Sequence, residues 1–222
     1  MLDLSRRRTL CLRLGGILKQ KHFIDSHKAA TGIAVIAMMC WYERWESPTL
    51  WLYFGLHGGY GLLWILKSRM FGDKQWEQKC SIGHGLYIWS GLSLYWITPW
   101  LIASNAIEVP PWWIGVASLV FGVGVFYHFA SDMQKHTTLS IKPGLFSDGL
   151  WSNSRNPNYF GEFLIYASFS SLAQHWAPFL VMAVFISIVW IPNMRKKDAS
   201  LARYEAFEAY RSKSGMMFPK LF

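Results

Sequence analysis

The run Ser154-Arg155-Asn156-Pro157-Asn158-Tyr159-Phe160-Gly161-Glu162 carries the densest chemistry in the chain. It sets an Arg, two Asn, a Tyr and a Glu at the mouth of a long apolar segment. Polar and ionisable side chains at a membrane border are costly unless they bind something. Pro157 starts a helix, which leaves the amides of Asn158 to Phe160 free for an anion such as a phosphate or carboxylate, and Arg155 adds a bidentate partner. Glu162 sits about one turn inside the apolar helix, where an unpaired carboxylate is expensive. These residue types predict a pocket for a polar, anionic ligand.

Two further polar clusters lie near this run. Ser131-Asp132-Met133-Gln134-Lys135-His136 leaves the fourth apolar segment, and the tail carries Arg195, Lys197, Asp198, Arg203, Tyr204 and Tyr210. The turn-rich Pro143-Gly144-Leu145-Phe146-Ser147-Asp148-Gly149-Leu150 is short enough to keep the first cluster close to Arg155. Each residue also has a plainer role open to it. Asp132 and Lys135 suit a solvated i,i+3 pair, Arg155 could snorkel to headgroups, and Tyr159 could anchor a membrane interface. The early run His57-Gly58-Gly59-Tyr60-Gly61 is unusual for a lipid-facing helix. Its glycines allow either close helix contact or room for a ligand.

The elements that position these residues follow from composition and charge. At 222 residues one domain is expected. Aromatics make up 17%, including 13 Trp, a load that suits a surface meeting lipid, with ends in aromatic belts. Six apolar segments run over 29–43, 49–66, 82–104, 112–131, 159–173 and 176–192. Lys and Arg lie in loops 67–81 and 132–158 and in the tail, while the alternate loops are nearly bare of them. The net charge of +9 therefore reads as basic cytoplasmic loops, not as a nucleic-acid footprint, and places both termini in the cytosol. Cys11, Cys40 and Cys80 are too widely spaced for a disulfide framework or a zinc site, and no metal is expected.

The predicted fold is all-α: a polytopic, integral membrane protein of about six transmembrane helices plus a C-terminal cytosolic or interfacial amphipathic helix. Residues 1–28 read as a basic cytosolic or interfacial lead-in, and 29–222 as one membrane-embedded domain. The last two segments are joined only by Ala173-Gln174-His175, which predicts a tight hairpin. Leu201, Tyr204, Phe207 and Tyr210 recur at spacings of three, which predicts a single helix over 195–212, ended by Gly215 and Pro219.

Over roughly 115–222 the sequence resembles the C-terminal domain of the steroid 5-alpha-reductase superfamily, closest to its short bacterial-type members. The resemblance rests on Ser131-Asp132, Gly144-Leu145-Phe146, Asn158-Tyr159-Phe160-Gly161-Glu162 and Tyr204…Tyr210…Pro219-Lys220-Leu221-Phe222. It implies NADPH-dependent reduction of a carbon–carbon double bond in a steroid-like or isoprenoid lipid. It also implies cofactor contacts from Asp132, Lys135, Arg155, Asn158, Tyr159, Glu162, Arg203, Tyr204 and Tyr210, with the tail closing over the cofactor. Such chemistry needs a donor that polarises a carbonyl. The family's tyrosine position reads Trp64-Ile65-Leu66-Lys67 here, so Tyr60 or His57 is expected in that role. The same region is similar to isoprenylcysteine carboxyl methyltransferases and phospholipid methyltransferases, which implies S-adenosylmethionine as the alternative cofactor. Asn156 in place of that family's His, Lys197-Asp198 near its paired glutamates, and Glu162 after Gly161 depart from its pattern. A non-catalytic membrane subunit retaining the fold is the third possibility. On the reductase reading, Arg155→Ala weakens cofactor binding and leaves folding nearly intact.

Overall fold

The computed structural model describes residues 18–220. Among them the chain is all-helical, with β-type pairing limited to isolated bridges between Lys19 and Lys79 and between Ser154 and Gly215. Six long helical runs follow one another up and down. The first is α1 (Gln20–Trp41). The second joins α2 (Pro48–Tyr53) through a π-helical turn at Phe54–Gly58 to α3 (Gly59–Phe71). The third is α4 (Ile82–Ser93) continued by α5 (Ile97–Ser104). The fourth joins α6 (Pro111–Val125) through a π turn at Phe126–Ala130 to α7 (Ser131–Ile141). The fifth is α8 (Pro157–Ser170). The sixth joins α9 (Ala177–Phe185) through a π turn at Ile186–Trp190 to α10 (Ile191–Leu201), and the short α11 (Phe207–Lys213) follows.

Local chemistry sets the helix starts. Ser47 and Ser81 cap α2 and α4, accepting from the amides of Leu50 and His84 at 3.2 Å each. Pro48, Pro111 and Pro157 occupy first positions, where a missing N–H costs nothing. Three chain reversals use left-handed residues, Glu43, Ala106 and Gln174, with φ of 54°, 52° and 47°. The third makes the short turn expected between the last two apolar segments.

Glycines let the helices approach closely. A Cβ on Gly161 of α8 would lie 2.3 Å from the His128 amide nitrogen, and one on Gly124 of α6 would lie 2.8 Å from Gly161 O. In the same way Gly61 of α3 meets the Lys28 carbonyl of α1, 2.4 Å from where a Cβ would stand. Such contacts let backbones pack where side chains would hold them apart. Buried aromatics, among them Tyr53, Tyr60, Tyr166 and Phe169, fill the space between the helices.

The two ends of the bundle differ. One holds the reversals at 42–47, 105–110 and 174–176. There Thr49 donates to Glu108 at 2.7 Å and Trp100 donates to the Tyr42 hydroxyl at 3.0 Å. Trp41, Trp45, Trp51, Trp100, Trp112 and Trp176 stand exposed around it. The other end holds the ion pairs of Glu77 with Lys19 and Lys21, Lys67 with Asp132, and Arg155 with Asp198. Two helical runs, Pro111–Ile141 and Ala177–Leu201, are long and apolar enough to cross a membrane. Only 22% of the most apolar stretch of each is buried, so these helices turn most of their apolar surface outward.

Two boundaries differ from the sequence reading. Most of the basic lead-in, residues 1–17, lies outside the described residues, and α1 runs from Gln20 through position 28 without a break. The tail is two helices, not one over 195–212. Tyr204 donates to Leu201 O and Phe207 to Tyr204 O, i→i+3 bonds that suit the spacing of three better than an α-helix does. The resulting bend buries Phe207 and Tyr210.

Two outcomes test this packing. Gly161→Ala is expected to destabilise the detergent-solubilised protein by about 1–3 kcal/mol through overpacking. Gly122→Ala, where a Cβ meets nothing within 4 Å, should melt with the wild type. The second concerns Glu77, which accepts from Lys19 at 2.5 Å and from Lys21; these bonds hold its carboxyl at about 2, below the ordinary 4.5. A depressed carboxyl stabilises fully above its unfolded value and loses that effect as pH falls through the folded one. Protection of the Gln20 and Cys80 amides against hydrogen exchange, taken relative to the intrinsic rate at each pH, should fall between pH 4.5 and about 2, since their 3.0 Å bonds pair this corner. In Glu77→Gln it should already be low at neutral pH.

Candidate functional site

A cavity of about 410 Å³ opens between α1, α3, α4, α8 and the fourth and sixth helical runs. Its walls divide by chemistry. Lys28, Lys67, His128, Asp132, Asn158 and Glu162 make a polar chamber toward the ion-paired end. Leu92, Tyr95, Phe185 and Val189 line an apolar arm between α4 and the sixth run. Tyr87 and Ile188 also line that arm and are exposed on the outer surface, so the arm reaches the flank of the bundle.

The polar chamber is a cross-linked set. Lys67 of α3 pairs with Asp132 of α7, both almost fully buried, and its ammonium lies 4.9 Å from the Trp64 ring centroid. Tyr60 of α3 donates to Glu162 Oε1 of α8 at 3.2 Å. Lys28 of α1 donates to the Tyr166 hydroxyl of α8 at 2.8 Å and lies 4.2 Å from the centre of the Tyr60 ring. His128 occupies the π turn at Phe126–Ala130, a feature common at functional sites. Its Nδ1 lies 3.1 Å from the Asn158 carbonyl. With Nδ1 donating there, Nε2 of the neutral ring is an acceptor. That Nε2 and the Asn158 Oδ1 are buried without a partner among the described residues. Each such atom costs about 1–3 kcal/mol unless something donates to it. A ligand with N–H or O–H groups, such as a carboxamide or a hydroxyl, fits both.

A second cavity of about 230 Å³ adjoins the first and shares Lys67, Asp73 and Asp132 with it. Lys74, Lys135 and His136 also line it. Three lysines and a histidine against two aspartates make it basic overall, which suits phosphate oxygens.

The sequence-predicted residues divide accordingly. Asp132, Asn158, Tyr159 and Glu162 line the larger cavity, and Lys135 lines the smaller. Tyr60 stands behind Glu162 and holds it. His57 does not line either cavity; it sits in the core, 2.6 Å from the Tyr53 hydroxyl and stacked on Phe169 at 4.2 Å. Its other ring faces are thus taken up by packing, away from any opening.

Arg155 also lies outside both cavities. Its Nε donates to Asp198 at 3.1 Å and its guanidinium to the Ser214 carbonyl at 2.6 Å, while its own amide donates to Gly215 O. Lys197 donates to Arg155 O at 2.5 Å and to Asn156 Oδ1 at 3.0 Å. Tyr210 donates to Trp151 O at 2.6 Å, and burial pushes its phenol above the ordinary range, keeping it a neutral donor. Arg203 is exposed and stacks on its neighbour Tyr204 at 5.0 Å. These four residues of the expected cofactor set, Arg155, Arg203, Tyr204 and Tyr210, therefore belong to the joint between tail and bundle or to its surface. A buried guanidinium needs a carboxylate and carbonyls, and the tail supplies both.

Sequence reading passed over Lys28, Lys67, His128 and Tyr166. A signal was present for three of them. His128 lies inside the fourth apolar segment, and Lys28 and Lys67 abut the first and second. An ionisable residue in such a place is a site candidate in its own right.

A model for a protein family of unknown function, DUF1295, matches residues 17–214. The chain belongs to the DUF1295 family. That family is associated with steroid 5-alpha-reductase-like proteins. The matched stretch takes in every residue lining the two cavities, from Gln20 to Asn193. No curated protein matches the chain.

Within this DUF1295 fold, Arg155→Ala leaves the partly buried Asp198 without its ion-pair partner and the Ser214 carbonyl without its donor. It is expected to destabilise the protein by about 1–3 kcal/mol. Limited proteolysis should then cut first after residue 201. This replaces the expectation of an intact fold with weaker cofactor binding.

Proposed function

We propose that the chain is a six-pass membrane enzyme, with both ends in the cytosol, that uses NADPH to reduce a carbon–carbon double bond in a steroid-like or isoprenoid lipid. Three features support the membrane arrangement. The exposed tryptophans ring one end of the bundle, as in an interfacial belt. The basic loops gather at the other end, which the positive-inside rule assigns to the cytosol. Two of the six runs are apolar enough to span on their own account.

The observation that carries the enzymatic reading is the joined cavity: a basic chamber, a polar chamber with orphan acceptors, and an apolar arm open to the flank. NADPH fits the first two in chemical kind. Its carboxamide N–H groups suit Asn158 Oδ1 and His128 Nε2, and its phosphates suit Lys74, Lys135 and His136. When bound, it supplies hydride. The chain's own part is to hold and shield. Asp132 keeps the Lys67 ammonium in place, Tyr60 orients Glu162, and the aromatic walls exclude water. The apolar arm admits a lipid sideways from the bilayer. S-adenosylmethionine, which has no phosphate, leaves the basic chamber without a purpose, so the methyltransferase reading ranks second.

Ligand-induced stabilisation tests the proposal. NADPH at a hundredfold over its Kd should stabilise the detergent-solubilised protein by about 2.7 kcal/mol, seen as a raised Tm. Lys135→Ala should weaken NADPH roughly tenfold, the loss of one charge-assisted contact. Stabilisation by S-adenosylmethionine instead would overturn the reductase in favour of a methyltransferase. A response to neither would favour a non-catalytic membrane subunit.

A further inference from the structure

Tyr166 and Lys28 meet where the polar chamber joins the apolar arm, and neither has its hydrogen-bonding capacity used up. Tyr166 accepts from Lys28 at 2.8 Å, and its own hydroxyl proton has no acceptor among the described residues. Lys28 has three N–H donors and one hydrogen-bond partner among the described residues, and its ammonium lies 4.2 and 5.2 Å from the Tyr60 and Trp64 ring centroids. Both side chains are almost fully buried, and both line the cavity. Tyr95, at 4.3 Å from Tyr166 ring to ring, begins the apolar arm. Two hydrogen-bond donors therefore stand unspent at the inner end of a lipid-sized groove.

We propose that Lys28 and Tyr166 form the oxygen-binding pair for a carbonyl on the lipid whose chain occupies the arm. The inference rests on the reductase reading for the role of that carbonyl, but the site itself rests on the donors alone. A neutral oxygen fits better than a carboxylate. Lys67 is already matched by Asp132, and Glu162 faces the same chamber as Lys28, so an incoming anion would meet Glu162 as a like charge. The phenol donates to the carbonyl, and the ammonium behind it favours that donation electrostatically. This takes the role expected of Tyr60 or His57. The Tyr60 proton is directed at Glu162, and His57 is held in the core. Tyr60 is a positioning residue for Glu162.

The test uses the full chain in detergent with two probes, phytone, an isoprenoid ketone, and pristane, a branched hydrocarbon of similar length. Binding is read by quenching of tryptophan fluorescence, since Trp64 and Trp190 line the cavity. Phytone should bind about tenfold more tightly than pristane, the worth of one hydrogen bond. Tyr166→Phe and Lys28→Met should each erase most of that preference while leaving pristane binding unchanged. The infrared carbonyl band of bound phytone should lie at lower wavenumber than in detergent alone and move back in either variant, a change that loss of packing alone does not produce. Should one variant fail to fold, the other variant and the wild-type band decide. Equal binding of the two probes, an unshifted band, or tighter binding of palmitate than of phytone overturns the pair. NADPH binding on the same samples separates the two readings. NADPH bound without a ketone preference sinks the pair and leaves the reductase, whereas a ketone preference without NADPH does the reverse.

Discussion

The pairing of Lys67 with Asp132 ties α3 to α7 inside an otherwise aromatic interior, and the rest of the polar chamber is organised around it. Two charges buried at this depth are tolerable only together, since removing either leaves the other uncompensated. The pair therefore holds two distant parts of the chain in one place. Tyr60 with Glu162 ties α3 to α8, and Lys28 with Tyr166 ties α1 to α8. Four helices are joined at one level by contacts between side chains 65 to 138 positions apart in the chain.

Such a network needs backbones close enough for short polar groups to reach. Gly124 and Gly161 bring α6 against α8, and Gly61 brings α3 against α1. The π turn at Phe126–Ala130 then has the start of α8 beside it, so that His128 meets the Asn158 carbonyl. The glycines, the π turn and the paired charges are parts of one arrangement. What they leave unsatisfied is informative. Among the described residues His128 Nε2 and Asn158 Oδ1 retain no partner, in a region where most other polar groups have one. Across the bundle the tail uses a different device. Arg155, Asp198, Ser214 and Gly215 lock the C-terminal segment onto the turn before α8, closing the end of the molecule without entering the cavity.

Some of this was legible from the residues in order. Each apolar segment coincides with a helical run to within about three residues at its ends, and the short link at Ala173-Gln174-His175 makes the reversal expected of it. Asp132, Asn158, Tyr159 and Glu162 line one cavity, as the cost of polar groups beside apolar segments suggested. Arg155 had the same local signature and a different fate. Residue type shows that a buried guanidinium must be paired; it does not show whether a ligand or the chain's own tail does the pairing. The tail bends where the sequence pattern predicts one helix, because a spacing of three fits an α-helix loosely and a succession of i→i+3 turns closely.

The sequence by itself determined the helical periods, the helix starts at Ser and Pro, the uneven charge of alternate loops and the burden of ionisable groups beside apolar runs. All of these act through neighbours along the chain. Only the tertiary structure decided that Lys28 meets Tyr166, that Tyr60 turns to Glu162, and that His57 and Arg155 are spent on packing and on the tail. Those outcomes depend on which helices touch and at what height. That is set by glycine contacts and buried ion pairs between residues far apart in sequence, whose partners no local pattern names.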